Sequence, residues 1–212
     1  MTVSIGPTFT SARRKKGGLP RMTEQEFIAW CDSDTWAEWV DGEVILMSPV
    51  NTEHDRICVF LISLISYFAG EHDLGDVLTE PVQVRFARQR RRRSPDIFFV
   101  TRERLDIIKL QHVEGAPDLI IEIVSPDSQN RDRRDKFNEY QAAGVREYWI
   151  IDPLSKTVEA HVLGPDRKFR QVEPGPFIRS AVLPGFAIKP NWLWRSKLPK
   201  VSTCLREMKS AK

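Results

Sequence analysis

The feature that most constrains the fold is a nearly uninterrupted apolar segment, PDLIIEIVS, at 117–125. Such a run is typical of a central β-strand covered on both faces, because both rows of its side chains must then be apolar. Glu122 interrupts the run. A buried carboxylate is costly unless a cation or hydrogen bonds compensate its charge. Glu122 is therefore either one half of a structural ion pair with an arginine or a residue that carries chemistry.

The patterns around this strand indicate a mixed α/β protein. Apolar residues at helical spacing predict a helix over 52–69, alternation predicts a strand over 76–86, and SPDIFFV at 94–100 is typical of a short buried strand. A capped helix over 128–143 and a strand over 146–152 follow the Glu122 segment. This order predicts an α/β (α+β) core in which a mixed sheet is flanked by helices.

The chain of 212 residues is long enough for one domain with a full hydrophobic core. Residues 1–20 are rich in Gly, Ser, Thr and basic side chains and predict a flexible basic tail. The folded domain is expected over 21–190, and 191–212 is expected to form a basic C-terminal tail. Asp41-Gly42 between two apolar runs predicts a β-hairpin in addition to the core.

Composition excludes several classes of protein. The net charge of +3 creates no strong overall field, although basic residues cluster at 13–16, 88–93 and 131–134. The three cysteines are far apart and odd in number, which argues against a disulfide framework and a zinc site and favours the reducing cytoplasm. The longest apolar stretch, 57–69, is too short to cross a bilayer, so no membrane partner is expected.

A second acid changes the interpretation of Glu122. Asp96 follows Pro95 at the start of the short buried strand, where alone it would be read as an acceptor of backbone hydrogen bonds. If the two strands are neighbours, Asp96 and Glu122 face each other and repel unless they share a proton or a cation. Oxygen ligands of this kind favour Mg²⁺ or Mn²⁺. Lys136, on the following helix, either reaches toward these acids or forms an ordinary surface salt bridge.

The chain resembles the Uma-type group of bacterial endonucleases within the PD-(D/E)XK (restriction-endonuclease-like) superfamily. The segments that carry the resemblance are EWVDGEVILMSPV at 38–50, RRSPDIFFV at 92–100, GAPDLIIEIVSPDS at 115–128, RDKFNEYQAAGVREYWIIDP at 134–153 and LPGFAI at 183–188, together with His54. The resemblance covers roughly residues 22–190. It implies a nuclease fold and metal-dependent hydrolysis of phosphodiester bonds, with DNA as the expected substrate. A homodimer is a plausible assembly, because two cuts need two active sites.

The resemblance also assigns roles to residues. Asp96 matches the acid of the PD element, and Glu122 matches the acid of the (D/E)XK element, so these two would hold Mg²⁺ or Mn²⁺. The superfamily lysine would stand at position 124, which is Val124 here, and the Uma-type pattern takes it from the next helix, at Lys136. The remaining catalytic candidates match recurrent positions of the group and are Glu38 and His54.

Runs of arginine beside these segments suggest contacts with a nucleic-acid backbone. The candidates are Arg90, Arg91, Arg92, Arg93, Arg131 and Arg134. Arginine–phosphate contacts position a substrate without reading its sequence. A solvated hairpin tip explains the first run equally well. For the whole protein, two alternatives remain open: a catalytically inactive nucleic-acid-binding protein on a nuclease fold, and a dimeric protein whose carboxylates form only structural salt bridges.

Overall fold

The structure, a computed structural model, describes residues 19–32, 34–125 and 132–210, and of residues 132 and 133 it describes the backbone alone. The predicted N-terminal tail therefore lies almost entirely outside the described residues. The α-helices in these ranges are α1 Glu24–Trp30, α2 Thr52–Glu71, α3 Phe137–Ala143, α4 Pro190–Leu193 and α5 Val201–Ser210. The β-strands are β1 Ala37–Val40, β2 Glu43–Leu46, β3 Gly75–Thr79, β4 Gln83–Phe86, β5 Arg91–Arg93, β6 Ile97–Thr101, β7 His112–Glu114, β8 Leu119–Ile123, β9 Glu147–Asp152, β10 Thr157–Leu163, β11 Phe169–Gln171, β12 Ile178–Arg179 and β13 Ala187–Ile188. Short 3₁₀ segments occupy Ala87–Gln89 and Arg102–Ile107, and a π-helical turn, Asp132–Lys136, leads into α3.

The central sheet contains six strands among the described residues, in the order β11-β10-β9-β8-β6-β3. β8 and β9 are parallel, whereas β6 pairs antiparallel with both β8 and β3. Every residue of β8 is buried, which confirms the central strand expected from its apolar run. The mixed sheet with flanking helices confirms the predicted fold class.

A second sheet, of five strands within the described part of the chain, has the order β2-β1-β5-β4-β7. β1 and β2 form the predicted hairpin, and both Asp41 and Gly42 have positive φ, 48° and 93°, as its two-residue turn requires. The arginine run does not form a solvated loop, because Arg91–Arg93 is strand β5, paired between β1 and β4. In this position the side chains of Arg92 and Arg93 are buried and that of Arg91 is partly buried.

The two faces of the central sheet build two apolar cores. One face packs on α2 through Leu61, Leu64 and Ile65. The opposite face packs on α3 through Tyr140 and on the second sheet through Val84. This arrangement places α2 and α3 on opposite sides of β6 and β8, so their termini approach the same strand ends from two directions.

The C-terminal segment differs from the predicted basic tail. Its described part forms α4 and α5, and Trp192, Cys204 and Met208 are buried in the core that also contains α2. Cys204 and Met208 are four residues apart and therefore lie on one face of α5. The other face of α5 carries charged side chains, and their number is the reason why the sequence predicts a basic tail. None of the helices in the described ranges combines the length and the apolar character needed to cross a membrane.

Candidate active site

Strand pairing brings Asp96 next to Glu122. In the β6–β8 ladder, Ile97 stands opposite Ile121, and one further step along each chain places Asp96 opposite Glu122. Directly opposed residues of an antiparallel pair project from the same face, with Cβ atoms about 5 Å apart. Only 7% of Asp96 and 4% of Glu122 is exposed. Two acids remote in sequence thus share one buried strand end.

Helix α3 and the turn before it supply two partners of Glu122. Lys136 Nζ lies 2.9 Å from Glu122 Oε2, and the Tyr140 hydroxyl donates a 2.7 Å hydrogen bond to Glu122 Oε1. Lys136 and Tyr140 are four residues apart and project from one side of the helical segment. Burial, followed by the charge of Glu122, raises the pKa of Tyr140 well above its ordinary value, so the phenol keeps the proton that it donates.

Asp96 is held by the backbone of β8 and by α2. The backbone N–H of Ile123 donates a 2.6 Å hydrogen bond to Asp96 Oδ2, and His54 Nε2 lies 3.2 Å from the same oxygen. His54 stands in the first turn of α2, which the Asn51 side chain caps. Burial lowers the pKa of His54, but the hydrogen bond and charge of Asp96 outweigh it, and the pKa is raised overall. Asp96 therefore favours the protonation of His54 against the effect of burial.

Glu38, on β1, approaches the same region from the second sheet. Arg93 Nη1 lies 2.7 Å from Glu38 Oε2, and the backbone N–H of Ser94 donates to Glu38 Oε1 at 3.0 Å. Burial raises the pKa of Glu38, but the charges of Lys136 and Arg93 outweigh it, and the pKa is lowered overall. The structure thus brings Glu38, His54, Asp96, Glu122 and Lys136 into one electrostatically connected cluster. Their catalytic and metal-binding roles stay predictions.

Glu80 is a neighbour of this cluster that sequence reasoning missed. In the β3–β6 ladder Thr79 stands opposite Ile97, and one further step places Glu80 beside Asp96. Glu80, Asp96 and Glu122 therefore occupy successive positions of one row across three adjacent strands. Burial and the charge of Asp96 raise the pKa of Glu80 to about 7. Glu80 lies in the middle of the alternating segment 76–86, which was predicted as one strand but forms β3 and β4 in two different sheets. The sequence does not show which strand lies beside Glu80.

The predicted nucleic-acid contacts of the first arginine run need correction. Arg92 and Arg93 are buried, and their guanidinium groups are paired internally, Arg92 with Glu24 and Arg93 with Glu38. Glu139 of α3 accepts hydrogen bonds from Arg93 Nε and Nη2, at 2.9 and 2.8 Å. Because β5 lies between β1 and β4, the buried guanidinium groups of Arg92 and Arg93 cannot contact a phosphate in the solvent.

The other predicted arginines have different positions. Arg91 is partly buried and lies 3.2 Å from Glu139. Arg90 is exposed and pairs with exposed Asp41 on the β1–β2 turn. Arg134 is exposed in the π-helical turn, and Arg131 lies outside the described residues. Of the predicted set, Arg90 and Arg134 therefore present solvent-exposed side chains in the described ranges.

Comparison with known families shows which family the chain belongs to. The profile of the Uma2 family, described as "Putative restriction endonuclease", matches residues 24–191, which is most of the chain. The chain belongs to the Uma2 family. The match includes the row of acids and the helix that carries Lys136, and it confirms the resemblance drawn from the sequence motifs.

Individual relatives are distant. The chain is 23% identical over 138 residues to "Uncharacterized protein sll1609" of Synechocystis sp., a match that spans 65% of this chain and 77% of that protein. It is also similar to a crystal structure of "a putative nuclease belonging to DUF820" from Anabaena variabilis, with 20% identity, a TM-score of 0.68 and coverage of 82% of this chain and 97% of that one. The second comparison shows that the two proteins share a fold.

The acids of this Uma2 chain suit a cation that retains much of its water. Within the part of the chain that the structure describes, no group of three or more His, Cys, Asp or Glu side chains is arranged to hold a metal ion. Mg²⁺ commonly takes one or two carboxylates and completes its shell with water and substrate phosphate. Asp96 and Glu122 fit that pattern. The charges of Glu80 and Asp96 repel each other, and a nearby cation would reduce this repulsion.

Proposed function

We propose that this Uma2 protein is a divalent-metal-dependent endonuclease that hydrolyses phosphodiester bonds, with DNA as its expected substrate. One observation carries the proposal: Glu122, next to Asp96 in the strand register, is contacted by Lys136 from the following helical segment. Two acids and a lysine are the groups that the PD-(D/E)XK resemblance requires. Their convergence supports the assignment although Val124 occupies the usual lysine position.

The acids would bind the metal ion. Asp96 and Glu122 would hold Mg²⁺ or Mn²⁺, because hard cations prefer carboxylate oxygens. When bound, such a cation supplies positive charge that polarises the scissile phosphate and favours an attacking hydroxide at neutral pH. His54 and the Ile123 amide orient Asp96, and Tyr140 orients Glu122, so both carboxylates are fixed before substrate arrives.

Lys136 would act on the phosphate and the attacking water. Its ammonium group is buried beside Glu122, in surroundings where charge is poorly screened, so it stabilises negative charge that develops in the transition state. Against the effect of burial, the charges of Lys136 and Arg93 lower the pKa of Glu38, so Glu38 adds a negative charge near Lys136. In-line attack, as in the superfamily that the chain resembles, would leave 5′-phosphate and 3′-hydroxyl ends.

A second candidate is a nucleic-acid-binding protein without catalysis. Both carboxylate oxygens of Glu122 are already engaged, by Lys136 and Tyr140, and this arrangement also suits a purely structural ion pair. This candidate predicts salt-sensitive binding without turnover in Mn²⁺, the more permissive cation.

The test is a nicking assay on supercoiled plasmid and on a structured RNA, with Mg²⁺ or Mn²⁺, using wild type, Asp96→Ala and Glu122→Ala. We expect metal-dependent nicking of the plasmid by wild type and at least a hundredfold loss in both variants. Asp76→Ala, at an exposed position of β3, is the matched control and should cut normally. Full activity in either site variant would falsify the assignment. If the protein cleaves the RNA and not the plasmid, its substrate is RNA and not DNA.

Cleavage of both strands of a duplex needs two active sites, so we expect a homodimer to form on the substrate. Light scattering of the Glu122→Ala variant with and without a short duplex measures this directly. A complex of one protein chain per duplex would contradict it.

A further inference from the structure

The C-terminal segment carries a basic surface that lies mostly outside the family match, which ends at residue 191. Between 189 and 210 the chain contains one acidic residue, Glu207. The basic residues of the same segment are Lys189, Arg195, Lys197, Lys200, Arg206 and Lys209. We call this set the C-terminal basic surface. Its excess of positive charge exceeds the net charge of +3 of the whole chain.

Most of these charges are available to a ligand. Lys197, Lys200 and Lys209 are exposed, and none of them forms a salt bridge with a carboxylate of the described residues. Lys189 Nζ pairs with Glu207 Oε2 and so neutralises the one acid of the segment. The contrast with buried Arg93 is direct, because the arginine run is compensated inside the protein and the C-terminal charges face water.

The C-terminal basic surface begins at the N-terminal end of α2, the end that also carries His54 of the candidate active site. Arg56 Nη2 donates a 2.7 Å hydrogen bond to the backbone oxygen of Ser196, which stands between Arg195 and Lys197. Arg56 lies two residues after His54, which contacts Asp96, and the two side chains project from roughly opposite sides of the helix. The first turn of α2 therefore lies between the candidate site and the start of the basic segment.

From there the surface follows α2 toward its C-terminal end. Lys209, in the last turn of α5, lines the same groove as Tyr67 of α2 and His72, which follows α2. A helix of ten residues is about 15 Å long, which matches about four base pairs of duplex. Glu53 and Glu71, near the two ends of α2, border this path, and the positive charge along it comes from Arg56 and from the C-terminal residues.

We propose that the C-terminal basic surface binds the sugar–phosphate backbone of the nucleic acid that the candidate active site cleaves. The proposal rests on the proposed nuclease function, since that function makes a polyanion the substrate. Lysines on phosphates bind without reading sequence. A membrane is the less suitable polyanion, because among the described residues of 189–210 no large apolar side chain is exposed, as an interfacial helix would need.

The test measures binding without cleavage. The protein is titrated into a fluorescein-labelled duplex of about 20 base pairs, in EDTA and at several KCl concentrations. Fluorescence anisotropy gives the association constant K at each concentration, and log K is plotted against log[KCl]. Three proteins are compared: wild type, Lys197→Gln/Lys200→Gln/Lys209→Gln, and the control Lys109→Gln/Arg167→Gln/Lys168→Gln. The control removes the same charge from exposed residues on other elements. Each lost phosphate contact reduces the steepness of the fall of log K with log[KCl] by about 0.9. We therefore expect the slope of the first variant to be shallower than that of wild type by about 2.7.

The outcomes separate this proposal from the nuclease assignment. A reduced slope in the first variant and an unchanged slope in the control support the surface, whether or not wild type cuts plasmid. An unchanged slope in the first variant, an equal fall in the control, or no binding of wild type overturns the proposal even if metal-dependent nicking is observed. Binding to vesicles containing phosphatidylserine but not to the duplex also overturns it and assigns the surface to a membrane.

Discussion

Lys136 Nζ lies 2.9 Å from Glu122 Oε2, and both residues are about 96% buried. The contact joins a lysine that precedes α3 to an acid near the C-terminal end of β8. The superfamily pattern that the chain resembles has a lysine two residues after the acid, where this chain has Val124. The same contact can stabilise the fold or serve catalysis, and variants of the two positions separate these roles.

Lys136→Met should reduce nicking at least a hundredfold, because the ammonium group that stabilises the transition state is lost. The variant should also lose about 3 to 5 kcal/mol of stability, since Glu122 loses its cation. Val124 is on the same face of the chain as Glu122, so Lys136→Met/Val124→Lys returns an ammonium group to the site. We expect at least a tenfold recovery of activity in plasmid assays, with folding checked by circular dichroism. A folded double variant as inactive as Lys136→Met would show that the lysine has no catalytic role that position 124 can supply.

Mg²⁺ or Mn²⁺ should raise the Tm of the wild type and leave that of Asp96→Asn unchanged. A ligand at a hundred times its Kd stabilises the folded state by about 2.7 kcal/mol, which corresponds to about 5 to 10 °C for a chain of this size. Differential scanning fluorimetry with KCl at matched ionic strength measures the shift. Asp76→Asn, with its exposed side chain, is the control and should respond as wild type does. An equal shift in Asp96→Asn would place the cation elsewhere.

Glu80→Gln should stabilise the protein at pH 8 and leave its stability at pH 4 nearly unchanged. The folded pKa of Glu80 is about 7, above its ordinary value of 4.5, so the folded state binds more protons between these values and stability falls as pH rises. The variant does not ionise and avoids this loss, which amounts to about 1 to 2 kcal/mol after allowance for partial exposure. Urea unfolding at both pH values in EDTA measures the effect. Equal gains at the two pH values would mean that the charge of Glu80 is not the cause.

Arg93→Met should lower the free energy of unfolding by about 3 to 5 kcal/mol, because Glu38 and Glu139 would lose their shared buried partner. Arg90→Met, three residues earlier and exposed, should change it by no more than about 0.5 kcal/mol. Urea denaturation of both variants measures the contrast. If the two variants unfold at the same urea concentration, the buried network around β5 does not hold the second sheet to α3.

The sequence predicts those residues of the candidate site that stand out from their immediate neighbours in the chain. Glu122 stood out because a charged residue interrupts an apolar run, and Asp96 because it opens a buried strand after proline. Lys136 was readable from the family pattern and from its helical spacing to Tyr140. Glu80 was not, because its importance comes from the strand beside it, and strand order is not a local property.

The sequence by itself determined helix α2, the buried strands β6, β8 and β9, the Asp41-Gly42 hairpin and the family, since periodicity and turn chemistry act between residues close in the chain. Only the tertiary structure decided which charges are compensated. It buried Arg92 and Arg93 against carboxylates from β1, α1 and α3, and it folded the C-terminal segment onto α2 with its lysines outward. The physical reason is that the electrostatic effect of a charge depends on its partners and its exposure to water, and both are set by contacts between residues far apart in the sequence.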